Sequence, residues 1–230
     1  MVGNPAGRRI YWLLPVLIIA ATFTAFLPAL QNEFVDWDDT TNLVENPNYR
    51  GLGLKQLQWM FTTVLTGHWI PLTWVTFGLD YLLWGMNPVG YHLTNLLLHT
   101  ANALVFYFLA LRLLRLATRG PGEITLRLGA GASALFFALH PLRVESVAWA
   151  TERRDVLSGL FFLLTILTYL KAGEAKEHGH RRRWLAGSVG LYALALLSKA
   201  IVMTLPFVLV ILDVYPLRRL PGRWQEWIAP

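Results

Sequence analysis

The sequence predicts an all-α, polytopic transmembrane helical bundle of about six spans, and three observations point there. Of its 230 residues 55% are hydrophobic and 10 are Trp, with a mean hydropathy of +0.43, more apolar than a soluble domain of this length. Apolar runs recur along the whole chain, and a helical span needs roughly 20 such residues. The basic residues are sorted between alternate connections, as orientation by Lys and Arg requires. Such a chain has no room for a separate soluble catalytic domain, so its chemistry sits in loops, at helix ends or between helices. Cysteine is absent, which excludes disulfides, thiolate nucleophiles and Cys metal sites and leaves the redox compartment open. The net charge of +6 belongs to membrane sidedness rather than to a nucleic-acid partner.

The first span is expected at Tyr11 to Leu30, behind Arg8 and Arg9; its apolar region is long and no small-x-small cleavage site follows, so it reads as an uncleaved anchor. The second runs from Pro88 to Leu114, with Asn87 as N-cap and Pro88 at the first helical position. The third, Leu126 to Leu139, is stopped by His140-Pro141, because proline disfavours helix in the residue before it. Val156 to Leu170, Trp184 to Leu197 and Ile201 to Tyr215 complete the set. Close helix approach is expected at Gly129 and Ser133 and at Ala186 and Gly190, and Pro206 falls inside the last span.

The stretch Ile70 to Trp84 is apolar but short and contains Asp80. If it does not cross, about 14 of the 20 Lys and Arg, including Arg119 and Arg223, share one face, which must be cytoplasmic with the N-terminus. It is therefore read, with Leu54 to Leu65, as a helix lying at the outer surface within a 31–87 extracytoplasmic loop. In the latter helix Leu54, Leu57, Met60, Phe61, Val64 and Leu65 share one side at helical spacing. The 171–183 run, charged and rich in His and Gly, reads as a mobile basic cytoplasmic loop that touches anionic lipid.

On the outer side, Asp36, Asp38 and Asp39 lie within four positions. Mutual repulsion raises at least one of their pKa values unless cations or hydrogen bonds compensate, and a carboxylate so tuned can take a proton from a hydroxyl. The plainer reading is a capped or solvated loop. A calcium loop lacks its glycine and distant Glu. The segment 140–155 packs Arg143, Glu145, Glu152, Arg153, Arg154 and Asp155 between two spans. Arginine suits phosphate in a partly dry site, although an internal ion-pair knot accounts for the same residues. His92, Asn95, His99 and Asn102 form one polar stripe, which faces protein or a cavity. Interhelical hydrogen bonds explain it as well as a headgroup cavity does. A divalent metal on His68, His92 or His140 lacks tight ligand spacing. Lys199, in the turn before the last span, either snorkels or offers a second phosphate contact.

Four motifs in order, FVDWDD, NPVGYHLTNLLLH, HPLRVESVAWATERRDVLSGLFF and LLSKAIVMTLPFVLVILDVYPLRR, cover nearly the whole chain. Together they resemble the membrane half of the transmembrane-and-TPR-repeat protein O-mannosyltransferase-like family, of the GT-C fold. The resemblance implies an inverting glycosyltransferase that moves a sugar, mannose in the named family, from a polyprenyl-phosphate donor to a Ser or Thr hydroxyl on the extracytoplasmic side. It implies a catalytic base at Asp38 or Asp39, Asp38 being preferred. The family's Asp-Glu pair is Asp-Asp here. Arg153, Arg154 and Lys199 would meet the phosphate, and His92, His99, His140, Glu145 and Glu152 would shape the cavity. One base and a cationic clamp suffice for this chemistry; a divalent metal stays open but unsupported, and the polyprenyl-phosphate-linked sugar is the donor. The partners implied are the lipid-linked donor, a protein or peptide acceptor and membrane lipids. Relatives have more spans and often carry TPR repeats, so 1–230 is expected to be an amino-terminal fragment of the GT-C-like domain. The preference for Arg over Lys fits a GC-rich bacterial source and so the plasma (inner) membrane. A membrane transporter, in which the His/Asn stripe and outer acids would guide an ion or solute and which inverted repeats would favour, or a noncatalytic scaffold, which would leave the outer acids replaceable, is the alternative.

Overall fold

A computed structural model describes residues 5–118 and 120–220, with side chains from residue 12 onward, so Arg119 and Arg223 lie outside it. The described residues are helical, with an isolated Leu65–His68 bridge as their sole β feature, and the all-α expectation is borne out. The α-helices are α1 (Pro5–Phe26), α2 (Leu54–Thr62), α3 (Pro71–Trp84), α4 (Pro88–Ala117), α5 (Glu123–Leu139), α6 (Arg143–Ala148), α7 (Arg153–Glu174), α8 (His178–Ser198) and α9 (Leu205–Val214). Among the described residues three segments are long and apolar enough to cross a membrane: Trp12–Gln31, Pro88–Ala117 and Arg153–Glu174. The other three expected spans also form helices, in α5, α8 and α9, but shorter or less apolar ones.

Helix α4 is the centre of the bundle, and its start follows its sequence: the Asn87 side chain accepts from the Val89 amide at 3.1 Å, satisfying one of the first-turn donors. On one flank α1 and α5 pack against it through Ile18, Ala103, Tyr107, Leu111, Ala130, Ala134 and Ala138. The small residues that admit this approach are Ala130, Ala134 and Ala138, one position on from the expected Gly129 and Ser133. Ala186 and Gly190 are likewise exposed, and Ser188 is the buried contact, donating to the Thr165 carbonyl at 3.1 Å. On the other flank α7 and α9 join α4 through Leu109, Leu163, Ile166, Leu170 and Leu205.

The last expected span is not one continuous α-helix. A 3₁₀ turn, Ala200–Thr204, precedes α9, so Pro206 sits in the first turn of α9, where a missing N–H costs nothing. Most of the expected 171–183 loop is helix, because α7 runs to Glu174 and α8 begins at His178. Charged side chains at a helix end reach outward, and the Lys171 ammonium rests 4.7 Å from the Trp184 ring centre.

Helix α3 lies across one end of the bundle. Thr73 near its start donates to the carbonyl of Ser198, the last residue of α8, at 3.0 Å. Asp80 pairs with Arg153, the first residue of α7. Tyr91, in the first turn of α4, donates to the Gly85 carbonyl after its end at 3.1 Å. All three contacts are with helix ends on the same side, and 14 residues extend only about 21 Å, so α3 lies along that end of the bundle. Leu43, Tyr49, Met60, Ile70, Trp74, Phe77 and Tyr91 form an aromatic core under α2 and α3. Helix α2 turns Leu57 and Met60 into it but leaves Leu54, Phe61 and Val64 exposed, so its apolar face is only partly the expected one. The opposite end of the bundle carries Arg112–Glu174, Arg115–Glu123 and Arg219–Asp213.

Candidate active site

The three acids of the first loop have three different partners. Asp36 accepts from the Thr40 hydroxyl at 3.0 Å. Asp39 is fully buried and accepts from the Val35 amide at 3.0 Å and from the Thr151 amide at 2.8 Å, with the Thr151 hydroxyl on the same oxygen. Both of its oxygens are engaged, so it ties the loop to the turn before α7. Asp38 is 27% exposed, and its Oδ2 lies 3.8 Å from Nη2 of Arg154. Replacing Asp39 by Ala leaves the buried Thr151 amide unpaired, with an expected cost of about 1–3 kcal/mol, read as a lower thermal midpoint.

From Asp38 a chain of opposite charges runs along the start of α7. Arg154 grips Glu152 through Nε and Nη2. Glu152 also accepts from Lys199 Nζ at 3.1 Å, and Lys199 meets Asp155. Asp155 accepts from the Ser146 hydroxyl at 3.2 Å. Glu152 and Asp155 are three residues apart and so share the face that Lys199 approaches. Three carboxylates against two cations leave this cluster one negative charge in excess.

Burial alone would raise the Glu152 carboxyl, but the hydrogen bonds and charges of Arg154 and Lys199 outweigh it and hold it below its usual range. A depressed folded pKa stabilises the fold above the ordinary value of 4.5, and that contribution is lost as pH falls through the folded value. The thermal midpoint is expected to fall below pH 4.5, and Glu152→Gln to flatten the part of that fall due to this carboxyl. His68, at the Leu65–His68 bridge, is pushed down by desolvation and by the charges of Arg154 and Lys199, which favour its neutral form.

The structure thus brings Asp38, Arg154, Glu152 and Lys199 together. Arg153 is turned away, contrary to its expected phosphate role. It is fully buried, paired with Asp80, and donates to the Asn95 side chain at 2.8 Å and to the carbonyls of Tyr91 and Thr76 at 2.7 and 3.4 Å. Adjacent residues at a helix start point about 100° apart, which separates Arg153 from Arg154. The polar stripe on α4 makes interhelical bonds: Asn95 to the Trp149 carbonyl at 3.0 Å, His99 with the Ala138 carbonyl at 2.9 Å, and Asn102 to the Val156 carbonyl at 2.7 Å. His92 is buried on the same face. His140 accepts from the Leu142 amide at 3.3 Å and Glu145 is exposed; neither joins the charged chain. No three His, Asp or Glu side chains among the described residues are grouped to hold a metal ion.

Beside Asp155 opens a cleft of about 570 Å³ between α4, α5, α6, α7 and the 200–204 turn, lined by residues that include His99, Asn102, Arg143, Ser146 and Asp155. Arg143 and Asp155 stood in the charged 140–155 segment without a role of their own, and Ser146 and Thr151 were not singled out by the sequence. The contacts of Thr151 depend on a segment distant in sequence.

A helical bundle with three segments among the described residues long and apolar enough to cross a membrane, and a charged cluster at one end beside an apolar-walled cleft, is the architecture of an integral membrane protein. The chain is 34% identical over 213 residues to the protein O-mannosyl-transferase Tmtc2 of Drosophila melanogaster, covering 87% of this chain and 21% of that protein. To the human protein O-mannosyl-transferase TMTC1 it is 34% identical over 181 residues, 72% of this chain and 19% of the relative. Against tmtc2 of Xenopus laevis the identity is 44% over 101 residues, 44% of this chain and 11% of the relative. The resemblance carried by the four motifs is therefore borne out: the chain resembles the membrane part of these proteins. It spans about a fifth of the length of the first two of these curated relatives. No family profile and no solved structure matches it.

Proposed function

We propose that this chain forms the catalytic end of an inverting, polyprenyl-phosphate-dependent protein O-mannosyltransferase, working on the extracytoplasmic face of the membrane. The observation that carries the reading is the partly exposed Asp38, held 3.8 Å from Arg154 at the end of the bundle, in a chain similar to protein O-mannosyl-transferases. Asp38 takes the proton of the acceptor Ser or Thr hydroxyl as that oxygen bonds to the anomeric carbon. The bond from that carbon to the donor phosphate breaks, and the polyprenyl phosphate leaves with the electron pair. A phosphate needs no strong acid to depart, so one base and offsetting positive charge suffice. Arg154 positions Asp38, and with Lys199 it offsets the carboxylates of Glu152 and Asp155, which would otherwise repel an anionic donor.

The stereochemistry of the product tests this reading. A protein containing this chain, given a polyprenyl-phosphate-linked mannose and a Ser/Thr peptide, is expected to yield a glycopeptide of opposite anomeric configuration to the donor, read by NMR. Retained configuration, or solute flux without transfer, overturns it.

A further inference from the structure

We infer that the donor's phosphate is held by Arg143, at the polar neck of the 570 Å³ cleft, and that the first units of its isoprenyl chain run down the apolar walls of that cleft. This rests on the transferase reading. Arg154 and Lys199 are each committed to carboxylates, and their cluster is net negative, so neither is a vacant anion receptor. Arg143 is different. Its guanidinium forms no ion pair among the described residues, its Nε is buried without an acceptor, and its plane is held 4.5 Å from the Phe137 ring centre. A fixed, partly desolvated cation without a counter-charge is costly unless an anion completes it, and a guanidinium fork fits phosphate oxygens.

The walls suit the rest of such a molecule. At the neck stand Ser146, Asp155 and Asn102; Asn102 is 2% exposed, and its Oδ1 has no partner although its Nδ2 does, so this oxygen and the Asp155 carboxylate can accept from hydroxyls of the donor's sugar and leave the phosphate to Arg143. One turn further along α4 comes Phe106, and two turns beyond Asp155 along α7 comes Phe162, both lining the same space. The cleft therefore passes from polar to apolar over about 10 Å, in the sense a phosphate-headed lipid requires. Its volume is that of a small-ligand site.

Binding to the purified, membrane-reconstituted full-length protein is measured with a long-chain polyprenyl phosphate, the matching uncharged polyprenol and phosphatidylglycerol. The phosphate is expected to bind at least about tenfold more tightly than the alcohol, and Arg143→Gln to remove about that factor for the phosphate alone. Arg143→Lys, which keeps the charge but not the fork, should restore only part of it. Equal phosphate binding by Arg143→Gln, or an equal loss for the alcohol, overturns the assignment. Phosphatidylglycerol competing as well as the polyprenyl phosphate overturns it in favour of a bilayer-lipid site. Should Arg143→Gln fail to fold, Ile201→Trp decides, since Ile201 lines the cleft and is 68% exposed: unimpaired lipid-phosphate binding there is equally fatal. Asp38→Asn is expected to bind the lipid phosphate normally. If the wild type transfers no sugar yet Arg143→Gln still loses phosphate binding, the cleft assignment stands and the transferase reading falls.

Discussion

Asp38→Asn is expected to reduce sugar transfer at least about a hundredfold, the contribution typical of a positioned general base, while leaving the protein folded. The two halves of that expectation have separate grounds. The Asp38 carboxylate is 27% exposed and makes one long contact to Arg154, so an amide there disturbs little packing. The amide, however, cannot accept the hydroxyl proton. Transfer from a polyprenyl-phosphate donor to a peptide, assayed beside the thermal midpoint, checks both. Transfer at wild-type rate removes Asp38 from the mechanism. Asp39→Ala is the control with the opposite signature, since its defect begins in stability.

Arg153→Ala is expected to be the most damaging single change to the fold. Its guanidinium is fully buried and bonded to Asp80, Asn95, Tyr91 and Thr76, and it lies 4.5 Å from the Phe77 ring centre. Removing one partner of a buried ion pair costs about 3–5 kcal/mol because the other charge is stranded, against a total stability of about 5–15 kcal/mol. The measurement is the yield of folded protein in detergent together with its thermal midpoint. Replacing both members, Arg153→Met with Asp80→Leu, should recover much of the loss, since apolar residues of similar volume often substitute for such pairs. A single mutant as stable as wild type would show that the pair contributes little.

These two residues also show what a sequence discloses and what it withholds. The path of the chain was legible where periodicity and charge speak together. Asn87-Pro88 marks a helix start, and Asp80 in a short apolar stretch marks a helix set apart from the long ones. Helix limits were less legible. Charged residues such as Lys171 and Arg181 tolerate helix beyond the apolar core, so α7 and α8 leave only residues 175–177 between them. The site was legible as a neighbourhood rather than as a set of roles. FVDWDD and TERRD do meet, but which carboxylate is free and which arginine faces the cluster follow from side-chain direction at adjacent positions. Those directions are fixed by Thr151 and Asp80, partners that lie far off in the sequence. Arg143 was visible in the same motif, yet nothing local distinguishes a cation with a partner from one without.

The bond between Asp39 and Thr151 joins positions 112 residues apart, and this imposes an order on biogenesis. While the ribosome is still delivering the second and third hydrophobic segments, the acidic loop has nothing to anchor to and stays unlatched. The charged cluster can close only after the head of α7 has been made, so a nascent chain arrested before Thr151 carries the acids but not the contact that anchors them.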